Sequence, residues 1–354
     1  MSLILNKIGF GADFYDEGFD KKYYENFINK AIDIGYNFFD TAEIYSNGLS
    51  EIILGETLKK HRQNVFISTK FSPENATYDK ILKSCENSLK RLQTDYIDLY
   101  QIHWPSIYHL EEISKAFQAL KTQGKVLNFG VSNYNHRLIS QINNLLDNSL
   151  FSNQIEYNYF DRYIEDKIYP YCLENNILII AYSPLNKGRV IFDNDKVNDL
   201  AIKYDCKPQQ ILLNWLISKK NILAIPKTNN INNLKSNFEC LDINIEKNDL
   251  ISLDKNQYEV HLVDTKKINV ILNGEKNRNT YTTLQEAIKN HLNYFPGPVS
   301  LSEQIKIDND IKPVRLIKTN KDTYDLVEGR IKYWAWVLAF GYDVPIPSYI
   351  YNFQ

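Results

Sequence analysis

The sequence predicts an α/β chain in two parts, a closed (β/α)8 TIM barrel over residues 1–258 and a small α+β domain over residues 259–354. Three observations carry this reading. Short apolar strands alternate with helical stretches eight times before residue 258, the count that closes a parallel barrel. No G-x-G-x-x-G turn follows an early strand, where an open doubly wound sheet would place one. After residue 258 the alternation stops and a different rhythm begins.

Taken in order, "NKIGFG" reads as the first strand, and "DKKYYENFINKAIDIG" as a helix with Tyr24, Phe27, Ile28, Ala31 and Ile32 on one face and Gly35 as its stop. "YNFFD" is a short strand, "LSEIILGETLKKH" a helix, "NVFISTK" a strand, and "YDKILKSCENSLKRLQ" an amphipathic helix before the buried strand "YIDLYQIH". The alternation continues through "EEISKAFQALKTQG", "VLNFGVSN", "RLISQINNLLD", "SNQIEYN", "EDKIYPYCLENN" and "ILIIAYSP". "DKVNDLAIKYD" with "KPQQILLNWLISK", then "ILAIPKT" and "INNLKSNFECL", complete it. Beyond lie a hairpin-like Asn273-Gly274 turn, one helix, the punctuation "PGPVSLSEQ", and a run reading as strand, turn, strand, helix and strand up to "IPSYI".

Composition narrows the function classes. The 41 basic and 43 acidic residues are interspersed and nearly cancel, which argues against an electrostatic nucleic-acid binder. The four cysteines form no C-x-x-C pair, so neither a metal site nor a disulfide framework is expected. "MSLILNKIGF" lacks the build of a secretion signal, and runs such as "ILIIAY" and "YWAWVLAF" are too short to span a bilayer. The expected setting is the cytoplasm, with a small-molecule partner, no membrane, and a homo-oligomer left open.

In a parallel barrel, the C-terminal ends of the strands gather into one site. Those ends carry Asp40, with Tyr45 in the following loop, then Lys70, His103 and Ser132-Asn133. The set suits carbonyl reduction: hydride transfer leaves an oxyanion that needs a proton, and a phenol can supply it. A free tyrosine titrates near pH 10, so a neighbouring ammonium is expected to lower the value for Tyr45. Lys70 is placed to do so, Asp40 to hold Lys70, and His103 to orient the substrate oxygen.

"FFDTAEIYSNGLSEIILG", "FISTK", "DYIDLYQIHWP", "GKVLNFGVSNY", "NQIEYN", "IAYSPL" and "IPKT" closely resemble the aldo-keto reductase superfamily along nearly all of residues 1–258. The resemblance implies a nicotinamide cofactor and the catalytic set Asp40, Tyr45, Lys70 and His103. It further implies Ser132, Asn133 and Gln154 on the carboxamide, Tyr182 stacked on the ring, and Ser183, Leu185 and Gly188 along the pyrophosphate. Lys227 and Thr228 would meet the adenosine ribose or its 2′-phosphate, and Asn237 the adenine. Asn233 stands where the family often has a basic clamp, which weakens the case for NADP, but Lys227 and Lys235 still supply charge, so NADP stays favoured with NAD as the alternative. The substrate would be an aldehyde, ketone or sugar. In "GADFYD", Asp13 takes the pocket position, with Phe14 and Tyr15 behind it, and Trp104 adjoins His103.

"IKPVRLIKTNKDTYDLVEGRIKYWAWVLAFGYDVPIPSYI" resembles the ParB-like, sulfiredoxin-like fold. That likeness implies an anion site at the start of the helix near Gly329. It also supplies an alternative function: a nucleotide-dependent phosphotransferase or switch, with the barrel as a cofactor-sensing accessory. Ile331 follows Arg330 where that family places its functional arginine, which weakens the alternative. "YWAWVLAF" is expected to be a core helix.

Overall fold

The computed structural model describes residues 4–14, 20–106, 108–188, 194–255, 259–270, 281–290, 292, 296–319 and 322–351. Two compact units, Met1–Asn256 and Gln257–Gln354, divide the chain.

The first unit is a barrel of eight parallel strands in sequence order. They are β1 (Phe10–Gly11), β2 (Phe38–Asp40), β3 (Phe66–Phe71), β4 (Ile97–Ile102), β5 (Val126–Ser132), β6 (Ser152–Glu156), β7 (Leu178–Tyr182) and β8 (Ile222–Ile225). Closure is made just before β1, where Ile8 bridges Ala224 of β8 in parallel. The Gly9 amide donates to the Ala224 carbonyl, and the Ala224 amide to the Lys7 carbonyl, both at 2.8 Å. Gly9 makes that approach feasible: a Cβ there would lie 2.7 Å from the Phe38 ring and 3.1 Å from Ile225.

Around the strands lie α1 (Lys21–Ile34), α2 (Leu49–Leu58), α3 (Tyr78–Leu92), α4 (Leu110–Thr122), α5 (His136–Leu145), α6 (Ile168–Glu174), α7 (Asp195–Lys203), α8 (Pro208–Ser218), α9 (Ile231–Glu239) and α10 (Lys247–Asp254). Helix α1 follows its pattern: Asp20 caps the Lys22 and Tyr23 amides, Gly35 ends it at φ 119°, and Tyr24, Phe27, Ile28 and Ala31 are buried. Helix α10 was not expected. It is short, with Leu253 its sole buried residue, and leaves too little periodicity to read.

Inside the barrel, Phe38, Phe66, Leu99, Ile180, Leu223 and Ile225 form an apolar layer. A polar layer of Ser68, Gln101 and Ser152 accompanies it, all fully enclosed. Gly130 leaves room for that layer, since a Cβ would sit 2.4 Å from Ser152 Oγ and 2.9 Å from Gln101.

The second unit is a five-stranded mixed sheet flanked by helices. Its strands are β9 (Val260–Val263), β10 (Ile268–Asn269), β11 (Val314–Lys318), β12 (Tyr324–Glu328) and β13 (Ile346–Tyr351), in the order β10-β12-β11-β13-β9. Its helices are α11 (Leu284–Lys289), α12 (Pro298–Asp308) and α13 (Arg330–Phe340). The expected succession of strand, strand, helix and strand is β11, β12, α13 and β13. In α13, Tyr333, Trp334, Ala335, Trp336 and Val337 are buried, and the Trp334 indole donates to the Tyr281 carbonyl at 2.9 Å. The segment "PGPVSLSEQ" departs from expectation. It opens helix α12, because a proline in the first turn loses no intrahelical hydrogen bond. The turn expected at Asn273-Gly274 lies outside the described residues. Among the described residues no helix is long and apolar enough to cross a membrane, and no cluster suits a metal ion.

Candidate active site

Strand register sets the site. Asp40 ends β2 and pairs with Ser68 of β3; two residues on, Lys70 pairs with Gln101 of β4; Ser132, ending β5, pairs with Gln154 of β6. The side chains are thereby brought to the same end of the barrel from four directions.

At its centre is an enclosed ion pair. Lys70 Nζ lies 2.7 Å from Asp40 Oδ2, with Lys70 wholly shielded from solvent, and also donates to the Thr41 carbonyl at 2.7 Å. The other carboxylate oxygen, Oδ1, accepts from Ser68 Oγ at 2.9 Å and Gln154 Nε2 at 2.8 Å. Gln101 Nε2 donates to Ser68 Oγ at 2.9 Å, linking the pair to the polar layer. A buried pair of this kind persists only when its further hydrogen-bonding capacity is largely met; here both carboxylate oxygens accept, and the ammonium donates to two acceptors.

Tyr45 is delivered by a tight turn. Ser46, Asn47 and Gly48 all have positive φ (49°, 54° and 86°) and reverse the chain into α2, so "SNG" is a conformational requirement. Ser46 Oγ anchors the turn on the Phe14 carbonyl at 2.8 Å. The Tyr45 ring centroid lies 5.2 Å from Lys70 Nζ and 5.5 Å from the His103 ring, edge-on at 77°. Trp104 stacks on His103 at 3.9 Å.

The electrostatics differ from the sequence-based expectation. Burial pushes the Tyr45 phenol well above its ordinary value, with the Asp40 charge adding to it. Lys70 does not reverse this. Its ammonium is matched by Asp40 at contact distance, so little net positive field reaches the phenol. Burial lowers the Lys70 value against the pull of Asp40. Burial, then Lys70, hold the His103 imidazole well below its usual range. His103 is therefore neutral. Among the described residues its Nδ1 is buried without a hydrogen-bond partner, so a ring hydrogen placed there would have no acceptor.

Residues not singled out in the sequence support this set. Glu51, fully enclosed in the first turn of α2, accepts from Thr69 Oγ1 and Arg91 Nε, each at 2.6 Å. Thr69 precedes Lys70, and the Arg91 side chain packs under Gly48, where a Cβ would lie 2.8 Å from it. Glu51 thus ties the turn bearing Tyr45 to the strand bearing Lys70. A carboxylate among apolar helix positions ("SEIILG") was the available signal.

Of the expected cofactor residues, Ser132 Oγ donates to the Gln154 carbonyl at 3.0 Å, and Asn133, left-handed at φ 61°, accepts from the Tyr182 hydroxyl at 2.9 Å. The Gln154 side chain is held by Asp40. Ser183 and Asn186 (φ 48° each) and Gly188 (φ 75°) form a looped backbone after β7, closed by the Gly188 amide on the Leu185 carbonyl at 2.8 Å. Among the described residues, chain neighbours aside, no atom lies within 4 Å of where a Gly188 Cβ would stand. Thr228 Oγ1 accepts from the Asn230 amide, Asn237 is buried, and Asn233 is exposed in the first turn of α9. Lys227 pairs with Asp13 at 3.1 Å. Phe14 is buried against Tyr24, ring centroids 4.4 Å apart; Tyr15 lies outside the described residues. Amide and hydroxyl donors, a stacking aromatic, an open backbone loop and a lysine form a donor set that fits a nicotinamide dinucleotide.

A parallel barrel that presents a phenol, a neutral imidazole and an enclosed ammonium–carboxylate pair at one mouth defines a class of carbonyl oxidoreductase. The aldo/keto reductase family matches residues 7–257, and the chain belongs to it. Among relatives, it is 36% identical to methylglyoxal reductase YeaE of Escherichia coli K12 over 233 residues, 64% of this chain and 82% of the relative. It is 30% identical to the glyoxal reductase of Bacillus subtilis 168, over 64% of this chain and 81% of that protein. An aldo/keto reductase from Klebsiella pneumoniae, solved with NADP and acetate, superposes with a TM-score of 0.68 at 31% identity, covering 71% of this chain and 91% of that one.

Proposed function

We propose that residues 1–258 reduce the carbonyl of a small aldehyde, ketone or sugar, with Tyr45 as proton donor. The enzyme is an NAD(P)H-dependent oxidoreductase, and NADPH is the favoured cofactor, with NADH as the alternative. When bound, the reduced nicotinamide supplies the hydride. The phenol, held protonated by burial, delivers its proton to the oxygen as negative charge develops there. His103 Nε2–H hydrogen-bonds that oxygen and orients it, while Asp40 and Lys70 keep a charged pair beside the phenol that can follow its loss of a proton.

The observation that carries this reading is the 2.7 Å Asp40–Lys70 pair, its ammonium 5.2 Å from the Tyr45 ring centroid, with the His103 ring edge-on to the same phenol. Ser132, Asn133 and Gln154 are assigned to the carboxamide and Tyr182 to the ring face. Ser183, Leu185 and Gly188 are assigned to the pyrophosphate, Lys227 and Thr228 to the ribose and its phosphate, and Asn237 to the adenine. Asp13 and Trp104 face the substrate. Consumption of NADPH against methylglyoxal, glyoxal and simple aldoses tests the proposal. Tyr45→Phe should lower kcat by about 10²- to 10⁴-fold while NADPH still binds; a fully active variant would refute it.

We read the second unit as ParB-like, on the order β11, β12, α13, β13 and the left-handed Gly329 (φ 102°) that opens α13. Calorimetric titration of the whole protein with ATP and CTP tests whether it retains nucleotide binding; no heat with either removes that role. Cys85, Cys172, Cys206 and Cys240 carry no disulfide, which supports a reducing, cytoplasmic setting.

A further inference from the structure

Asp13 is held on the rim by backbone ties on either side of it. The Ala12 amide donates to the Asp40 carbonyl at 2.8 Å, and Ser50 Oγ donates to the Ala12 carbonyl. On the other side the Phe14 carbonyl accepts from Ser46, the residue after Tyr45. The backbone of residue 13 therefore stands between the strand end that carries Asp40 and the turn that carries Tyr45, and its carboxylate projects from there. It reaches Lys227 of the last strand's loop, so the pair spans the seam where the barrel closes. Its negative charge is also felt by both Tyr45 and Lys70.

We propose that Asp13 is a charge filter that sets the substrate class, admitting neutral carbonyls and rejecting those whose carbonyl carbon bears a carboxylate. The inference rests on the reductase reading and on Tyr45 as the proton donor. A 2-oxo acid aligned for hydride transfer puts its oxygen on Tyr45 and His103, and its carboxylate then lies one bond from the reacting carbon, within the field that Asp13 already imposes on Tyr45. Like charges placed in one field disfavour the complex. Methylglyoxal and pyruvate share a skeleton and differ in this charge. Lys227 offsets part of the Asp13 field while the pair is intact, so removing Lys227 sharpens the discrimination.

The test is the ratio of kcat/KM for methylglyoxal to that for pyruvate in the parent, Asp13→Asn, Lys227→Met and the double variant, at low and high ionic strength. In Asp13→Asn the ratio should fall at least about tenfold, mainly through the KM of pyruvate. It should rise in Lys227→Met, and the double variant should lie below Lys227→Met. The differences should shrink at high salt. Taking the ratio within one variant cancels any general loss of activity. An unchanged ratio in Asp13→Asn overturns the filter while leaving the reductase reading intact. A parent that reduces neither compound nor any other carbonyl overturns both.

Discussion

Replacing Asp40 with asparagine perturbs the site by one atom and exposes its electrostatic design. The carboxylate accepts on both oxygens, from Lys70 on Oδ2 and from Ser68 and Gln154 on Oδ1. An amide has one oxygen and one NH2. Either orientation sets a donor against a donor, and Lys70 loses its counter-ion where no water reaches it. Breaking a buried pair from one side costs about 3–5 kcal/mol. For a unit of this size each kcal/mol moves Tm by about 2–4 °C, so the barrel transition should drop by roughly 6–20 °C.

The deficit should also depend on pH, with a sign that follows from Lys70. Burial already lowers its value, and losing Asp40 lowers it further. In the unfolded chain Lys70 keeps its proton up to about pH 10.4. Between the folded and unfolded values the unfolded chain holds more protons, so stability rises with pH in that window. The Tm gap between Asp40→Asn and the parent should therefore be widest near neutrality and narrow towards pH 10. Thermal unfolding of both proteins across that range measures it. A loss below about 2 °C, or a gap that ignores pH, would refute the enclosed-pair account.

Glu51→Gln should lower stability by about 3 kcal/mol and kcat more than KM, because Thr69 adjoins Lys70; adding Arg91→Met should recover Tm but not kcat, read by melting and steady-state kinetics. His103, held neutral by burial, should contribute no limb to the activity profile between about pH 6 and 7. Its depressed value means the unfolded chain takes up its proton first, so this part of stability is present above about pH 6.5 and declines as pH falls below it. His103→Gln should flatten that acid decline in Tm, and an unaltered decline would show that the imidazole is not held neutral.

Much of the fold and the site is local and hence legible. Helix α1 carries its own cap, apolar stripe and glycine stop, and β7 is an unbroken apolar run, as a strand covered on both faces tends to be, while β3 and β4 are buried along their whole length with polar residues among the apolar ones. Residues at strand ends reach the mouth because parallel strands point the same way, so Asp40, Lys70 and His103 could be found by position alone. Helix α10 is not legible because one buried leucine makes no pattern, nor is α12, because a proline that ends one element can open another. Glu51 was hidden because its partners come from other strands and helices.

Local pattern along the chain determined that there would be eight strands, which residues would cap them, and what chemistry those residues could perform. Closure of the barrel decided the rest: Gln154 meets Asp40 from 114 positions away, and Lys227 meets Asp13 from 214. Ionisation belongs to this second category. The state of a phenol, an ammonium or an imidazole depends on the solvent it has lost and the charge it faces, neither of which exists until the strands come together.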